Sequence, residues 1–193
     1  NSGFFIIFAK IELVWQFRPC QTPGCGPPFR KTTNATIITM KTNYEIRYAA
    51  HPEDAKSYDT ARLRRDFLIE KVFTADEVNM VYSMYDRMVV GGAMPVAETL
   101  RLEAIDPLKA PFFLTRREMG IYNVGGPGVV KAGDAVFELG YKEALYLGSG
   151  DREVTFASKD AGNPAKFYFN SLTAHRNYPD KKVTKADAVV AHM

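Results

Sequence analysis

Cysteine is nearly absent from this chain. Of its 193 residues only Cys20 and Cys25 are cysteines, and both lie within the first 39 residues. The lack of cysteine elsewhere excludes a disulfide-stapled secreted scaffold and is typical of a cytoplasmic protein. The two cysteines have no second pair and no histidine beside them, so they make a poor zinc site.

An excess of basic charge is also missing from most of the chain. The formal net charge of +3 is accounted for by the first 39 residues, whose charged side chains are Lys10, Arg18, Arg30, Lys31 and Glu12. The remaining residues hold equal numbers of bases and acids, so nucleic-acid binding is not expected. The apolar run at residues 4–9 is too short to span a membrane, so no membrane partner is expected either.

The first 39 residues differ in character from the rest. Residues 19–28 are rich in proline, glycine and cysteine, which is typical of coil, and Met40 opens a stretch of a different kind. One interpretation is that Met40 is the natural start and that residues 1–39 are a non-native extension translated from upstream sequence. The other is a disordered or membrane-touching leader, and the sequence leaves both open.

Two patterns follow Met40. Residues 40–69 predict an arm with short helices, because Pro52 stands early in a run with acids in its first turn and Asp59 precedes apolar residues at helical spacing. From residue 70, short runs rich in valine, tyrosine, phenylalanine and isoleucine alternate with glycine- and proline-containing breaks. The runs are residues 70–73, 78–85, 99–103, 118–124, 135–139, 144–147, 153–157 and 166–171.

About eight short strands at this spacing predict an all-β fold of the jelly-roll sandwich or barrel type. We expect this domain over residues 70–180, after the short helical arm. Residues 181–193 begin with a polar run and are predicted to start a connection to a further domain. The Gly-Gly-Pro-Gly break at residues 125–128 predicts a hairpin turn, since the lysine and hydroxyl residue of a phosphate loop do not follow it.

Several separate segments resemble one family of sugar-acid isomerases. They are FLIEKVF at 67–73, YDRMVVGG at 85–92, FLTRREMG at 113–120, NVGGPG at 123–128, PAKFY at 164–168, and AH, YP and KKVT at 174–175, 178–179 and 181–184. In this order they resemble the N-terminal half of the 5-keto-4-deoxyuronate isomerase family, the 4-deoxy-L-threo-5-hexosulose-uronate ketol-isomerases. The resemblance covers roughly residues 48–185.

The resemblance implies a protein of two cupin domains, of which this chain carries the N-terminal one. It also implies conversion of 5-keto-4-deoxyuronate to 3-deoxy-D-glycero-2,5-hexodiulosonate in the breakdown of pectin-derived uronates, by a homo-oligomer. The family binds zinc through three histidines and one glutamate of the C-terminal cupin. The resemblance therefore implies no metal ligand and no catalytic residue in this chain, and we expect the chain to be inactive alone.

The two cupin sequence motifs are only partly kept in this half. In the first motif, Glu118 and Gly125 occupy the glutamate and glycine places, but no register puts a histidine at the histidine places. In the second motif, Gly140 and Gly148 are kept, whereas Asp151 stands where the histidine belongs. One glutamate and one aspartate make a poor zinc site, so we expect a domain that keeps the fold without binding metal.

Three side chains are candidates for binding a sugar-acid substrate. Arg116 and Arg117 could hold a carboxylate in bidentate fashion, and His175 supplies an imidazole, the group that exchanges protons near neutral pH. The alternatives are an ion-paired strand whose arginines face solvent and a hydrogen-bonded loop histidine. The chain is therefore interpreted either as half of an isomerase or as a metal-free module for sugar-acid binding or assembly.

Overall fold

A computed structural model describes residues 42–187 of the chain. The strands are β1 (Thr42–Arg47), β2 (Val78–Ser83), β3 (Val89–Ala93), β4 (Leu100–Leu102), β5 (Arg117–Asn123), β6 (Gly128–Ala132), β7 (Ala135–Leu139), β8 (Ala144–Leu147), β9 (Val154–Ser158), β10 (Phe167–Thr173) and β11 (Lys181–Val183). The α-helices are α1 (Pro52–Ala55) and α2 (Thr60–Phe67), and 3-10 turns span Asp106–Leu108 and Lys185–Asp187. No helix in this range is long and apolar enough to cross a membrane. The predicted extension, residues 1–39, lies outside the described residues.

The strands form two sheets. One has the order β1-β2-β3-β10-β5-β8-β11 and the other the order β4-β9-β6-β7. The named strands pair antiparallel throughout, except that β1 runs parallel to β2. Between β3 and β10 the chain passes repeatedly from one sheet to the other, which yields two sets of four strands, β3-β10-β5-β8 and β4-β9-β6-β7. This eight-strand arrangement is the jelly roll of cupins, and it confirms the predicted all-β, cupin-type sandwich.

The core lies between the two sheets and is built from alternate residues of their strands. Phe167 and Phe169 of β10 contribute from the larger sheet and Phe156 of β9 from the smaller one, with ring centroids 5.4 and 6.2 Å from that of Phe156. Tyr168, between the two β10 phenylalanines, lies on the opposite face beside Tyr122, at 6.2 Å between centroids. Residues 167–169 therefore alternate between the core and the outer face of the larger sheet.

The helical arm begins its helices where the sequence predicts them. His51 caps α1, its Nδ1 accepting from the Glu53 N–H, and Asp59 caps α2 by accepting from the Arg62 N–H at 2.8 Å. Neither helix has a buried residue. The predicted apolar face of the second helix, Leu63 with Phe67 and Leu68, is therefore largely exposed in the described part of the chain. Strand β1, which precedes both helices, is an addition to the predicted arm.

Between residues 70 and 132 the strands differ from the predicted pattern at three places. Residues 70–73 form no strand, whereas residues 89–93 and 128–132 do, although their glycines predicted breaks. Gly91 lies inside β3 because neighbouring groups leave no room for a side chain. A Cβ there would lie 2.5 Å from the Asn79 carbonyl oxygen and 2.6 Å from the Phe169 ring. This glycine therefore permits close packing inside the sheet instead of ending a strand.

The Gly-Gly-Pro-Gly segment is not a hairpin turn. It connects β5, in the larger sheet, to β6, in the smaller sheet, so the prediction of a hairpin was wrong. Asn123, the fully buried last residue of β5, donates to the carbonyl oxygens of Gly126 and Leu139 and accepts from the N–H groups of Gly125 and Lys166. These four hydrogen bonds of the Asn123 side chain stabilise the corner between the two sheets, which the glycines, having no side chain, do not.

The larger sheet extends beyond the limits predicted for the cupin domain, residues 70–180, on both sides. β1 lies before those limits, and β11 lies after them and pairs with β8. Just before β11, Asp180 accepts both hydrogen bonds of a bidentate pair with Arg152, at 2.5 and 2.6 Å. Asp180 also accepts from the Gly148 N–H at 3.0 Å, so the segment after β10 is fastened to the sandwich.

The turn between β2 and β3 holds two non-glycine residues in the left-handed region. The angle φ is +53° at both Asp86 and Arg87, and the Met88 N–H donates to the Tyr85 carbonyl at 3.1 Å. Positive φ at both central residues is the geometry of a type I′ turn, which favours glycine at the second of them. The turn is therefore strained at Arg87.

Replacing Arg87 with glycine is expected to raise the free energy of unfolding by about 0.5 kcal/mol. Relief of the left-handed backbone is worth about 1–2 kcal/mol, whereas the extra freedom of glycine in the unfolded chain costs about 0.4–1 kcal/mol. Urea unfolding followed by circular dichroism measures the change. The control is Arg65→Gly within α2, which is expected to lower stability by about 1 kcal/mol. A less stable Arg87→Gly protein would contradict strain at this turn.

Candidate functional site

A cavity of about 400 Å³ is formed by three parts of the fold: the β2–β3 hairpin, the segment from the first 3-10 turn to the start of β5, and the end of β10. Four basic residues line it, and they are Arg87, Lys109, Arg116 and Arg117. Tyr82 and Thr173 add hydroxyl groups, and the rest of the lining is apolar. Both predicted arginines therefore lie in one cavity, joined by two bases that the sequence did not single out.

Arg117 is buried in this lining. It is the first residue of β5, points to the core side of the sheet and is only 4% exposed. Its Nε donates to the Ser171 hydroxyl at 3.1 Å, and its Nη2 donates to the carbonyl oxygens of Ser171 and Arg87 at 2.8 and 2.6 Å. Burial lowers the pKa of Arg117 below its ordinary value, because the protein interior solvates the cation less well than water. The alternative of a solvent-facing, ion-paired strand is wrong for Arg117.

Arg116 lies one residue earlier and is exposed. Its Nη2 donates to the carbonyl oxygens of Leu108 and Lys109 at 3.0 and 3.1 Å, which fixes the guanidinium against the first 3-10 turn. These two hydrogen bonds use only Nη2. The other N–H groups of this guanidinium have no acceptor among residues 42–187.

The lining has a net positive charge, because no acidic residue contributes to it. Lys109 is neutralised from outside the cavity by Asp106, whose carboxylate lies 2.6 Å from the Lys109 ammonium. Within the described range, the other three bases of the lining have no carboxylate at ion-pair distance. The cavity is therefore suited to an anion.

A second cavity, of about 690 Å³, lies between β1 and α2 and is lined by four bases and two acids. Three of the bases are paired with carboxylates: Arg64 with Glu70 at 2.7 Å, Arg47 with Glu45 at 3.1 Å, and Arg65 with Asp66, which lies outside the lining, at 2.9 Å. Among the described residues only Lys71 of this lining has no carboxylate at ion-pair distance, so the second cavity offers an anion fewer unpaired cations than the basic cavity does.

His175 lies near the basic cavity but does not line it. It is exposed and follows the end of β10, where Thr173 lines the cavity and the Ala174 N–H donates to the Arg116 carbonyl at 3.0 Å. The structure therefore brings Arg116 and Arg117 together and leaves His175 two residues beyond the lining.

Glu118, a degenerate cupin position, lies on the outer face of the larger sheet, opposite to its neighbour Arg117. There it accepts a hydrogen bond of 2.7 Å from the Tyr146 hydroxyl. Burial raises the pKa of Tyr146 to about 12, and the hydrogen bond to the carboxylate adds to this effect. Glu118 is thus engaged away from the interior of the sandwich.

The described residues do not fit a zinc ion, which the family resemblance assigns to the C-terminal cupin. Asp151, the other degenerate position, is exposed in the loop between β8 and β9, whereas Glu118 is on the outer face. Residues 42–187 contain no group of three or more histidine, cysteine, aspartate or glutamate side chains that could hold a metal ion. No chemistry is therefore assigned to a metal bound by the described residues.

Fold and site together define a cupin-type jelly roll with a basic cavity. The chain is 90% identical over 154 residues to 4-deoxy-L-threo-5-hexosulose-uronate ketol-isomerase 1 of Bacteroides thetaiotaomicron, covering 80% of this chain and 55% of that protein. It is 86% identical over 154 residues to the corresponding protein of Bacteroides fragilis, with the same coverage. The identity to the protein of Formosa agariphila is 54% over 149 residues, covering 77% of this chain and 53% of that protein.

Over 77–80% of its length, the chain is thus similar in sequence to these ketol-isomerases, as the segment resemblance predicts. It spans about half the length of the curated relatives that it matches. A scan against models of known families finds no match. A cupin protein of Bacteroides fragilis superimposes with a TM-score of 0.33 at 14% identity, covering 54% of this chain and 77% of that one, a similarity too low to add to the strand order.

Proposed function

We propose that this chain is the N-terminal half of a cytoplasmic, homo-oligomeric isomerase that converts 5-keto-4-deoxyuronate to 3-deoxy-D-glycero-2,5-hexodiulosonate in the breakdown of pectin-derived uronates. The observation that carries this proposal is the identity of 90% over 154 residues to a protein named as the uronate ketol-isomerase. Two further relatives with the same name, at 86% and 54% identity, support it.

The zinc of this enzyme is assigned to the part of the relatives that this chain does not span. In support, the described residues bring no set of metal ligands together, and Glu118 is held by Tyr146 on the outer face. The contribution of this half is then the partner domain of the fold, contacts between subunits and one wall of the substrate site. Arg116, Arg117 and His175 are the proposed contacts to substrate within that wall.

The proposal is tested by joining residues 40–193 to the remaining C-terminal portion of the Bacteroides thetaiotaomicron relative. With zinc, this fusion is expected to convert 5-keto-4-deoxyuronate, followed by proton NMR, and to lose activity after treatment with a chelator. The 193-residue chain alone, folded and supplied with zinc, is expected to give no turnover above a blank. Turnover by the chain alone, or a folded but inactive fusion, would contradict the proposal.

A second candidate function is a metal-free module that binds a sugar acid or supports assembly. The basic cavity favours it, because all four of its cations belong to this chain and no metal is needed for an anion to bind there. The two candidate functions differ in whether this chain binds a sugar acid without metal. The binding module takes up a sugar acid in the presence of a chelator, whereas a purely structural half does not.

A further inference from the structure

We propose that the basic cavity binds the carboxylate of a monomeric sugar acid, with the guanidinium groups of Arg116 and Arg117 as the principal donors and Arg87 as the third cation. This inference rests on the second candidate function and adds the group that is bound and the residues that hold it. It requires neither isomerase activity nor zinc.

The first argument for an anion in this cavity is that the charge of Arg117 is buried without a counter-ion among the described residues. Taking a cation out of water costs several kcal/mol, and the three oxygen atoms that it contacts are neutral acceptors from Ser171 and Arg87. Hydrogen bonds to neutral oxygens offset only part of this cost, since charge-assisted pairs are roughly twice as strong. An anion in the cavity would supply the missing compensation.

The unused hydrogen-bond donors provide the second step. A guanidinium carries five N–H donors. Those on Nε and Nη2 of Arg117 are engaged, whereas both on Nη1 have no acceptor among the described residues. Among the described residues, the fully buried side-chain atoms that lack a hydrogen-bond partner do not include Nη1 of Arg117. Nη1 is therefore accessible from the cavity. In Arg116 only Nη2 is engaged, which leaves Nε and Nη1 for a ligand.

The geometry of the two arginines suits a carboxylate. Both guanidiniums are held by backbone carbonyl oxygens, so their orientation is set before any ligand arrives and less side-chain entropy is lost on binding. Because Nη2 is engaged in both, neither guanidinium has a free pair of neighbouring N–H groups, and each donates to a carboxylate oxygen through its remaining single N–H groups. The strained turn adds Arg87 at the same cavity, and backbone strain of this kind is typical of functional sites.

The remaining lining favours a sugar acid over a bare inorganic anion. The volume of about 400 Å³ lies in the range of about 300–1,000 Å³ that is usual for small-molecule sites. Hydroxyl groups of Tyr82 and Thr173 can pair with sugar hydroxyls, while the apolar part, which includes Phe113, faces carbon–hydrogen surfaces. The competing explanation is that Arg117 only ties the β2–β3 turn to β10 and that no ligand is involved.

The test is a calorimetric titration of the 193-residue chain with D-galacturonate in the presence of a chelator. Saturable binding is expected, with no binding of neutral D-galactose. In Arg116→Gln and in Arg87→Gly the dissociation constant is expected to rise by at least about tenfold, the effect of one charge-assisted hydrogen bond or cation. Arg87→Gly is expected to fold at least as well as the parent, so lost binding cannot be ascribed to unfolding.

The matched control is Arg101→Gln, which removes the same charge from β4 in the smaller sheet, where Arg101 pairs with Glu153 at 3.3 Å. It is expected to bind within about twofold of the parent. Inorganic phosphate binding as tightly as galacturonate would overturn the assignment to a sugar acid. Galacturonate binding that both cavity variants leave unchanged would overturn the cavity site but keep the second candidate function. No saturable binding would overturn both and leave the isomerase proposal standing.

Discussion

Replacing Asn123 with leucine is expected to lower the free energy of unfolding by about 4 kcal/mol. The side chain is fully buried and satisfies four backbone groups, at 2.8 Å for Gly126, 2.9 Å for Leu139, 3.1 Å for Gly125 and 3.3 Å for Lys166. Leucine has a similar volume but no hydrogen-bonding atom. It therefore removes the side-chain partner of two carbonyl oxygens and two N–H groups, and each buried group that finds no other partner costs about 1–3 kcal/mol before the corner relaxes.

Thermal unfolding followed by circular dichroism measures this effect, and a decrease of about 8–16 °C in Tm is expected for a domain of this size. The matched control is Asn177→Leu in the exposed segment after β10, which is expected to change stability by less than about 0.5 kcal/mol. A stable Asn123→Leu protein would show that the glycines alone hold the corner between the sheets.

Replacing Asp180 with asparagine is expected to lower the free energy of unfolding at neutral pH by about 2–3 kcal/mol. The substitution removes the carboxylate from the half-buried Arg152, whose contacts to it are 2.5 and 2.6 Å long, and weakens the bond from the Gly148 N–H. The Arg152 guanidinium would then remain partly buried without its counter-ion. The ion pair between Lys56 and Glu53 is also close, at 2.8 Å, but exposed, so Glu53→Gln is the control and is expected to cost less than about 0.5 kcal/mol.

The same pair predicts a dependence on pH. Burial alone would raise the pKa of Asp180, but hydrogen bonds from Arg152 and from the Gly148 N–H outweigh burial, so this pKa lies below its ordinary value of 3.8. A carboxyl whose pKa is lower in the folded state stabilises the protein above the unfolded pKa and loses this contribution as pH falls through the folded value. The stability difference between parent and Asp180→Asn is therefore expected to be constant at neutral pH and to shrink below about pH 4. A difference that grows in acid would contradict the sign.

Most of the fold follows from alternation in the sequence, and the exceptions have local causes. Strands β7 and β8 were predicted with their observed limits, because each is a short apolar run between turn residues. β3 was missed because Gly91 and Gly92, which usually end strands, here make room for neighbouring strands and the segment before β2. β11 was not predicted because it is a short, polar edge strand, and such a strand lacks the alternation of apolar residues from which strands are predicted.

The candidate site was only half predictable for a different reason. Adjacent arginines at 116 and 117 are visible in the sequence, but which one is buried depends on the register of β5 with its neighbours. A shift of one residue would exchange their environments. Arg87 and Lys109 line the same cavity because the β2–β3 hairpin and the first 3-10 turn lie beside the start of β5. The spacing of these residues in the sequence does not indicate that they are close in space. Long-range topology therefore supplied the missing half of the site.

The position of β10 affects how this chain is made on the ribosome. β10 lies between β3 and β5 in the larger sheet, although it is the last strand of the jelly roll to be synthesised. Translation adds about 5–20 residues per second, so about 4–15 s pass between the end of β3 and the start of β10. During that interval the inner edges of β3 and β5 have no native partner. The nascent chain therefore exposes two unpaired strand edges until β10 emerges, which makes this the stage at which chaperone protection matters most.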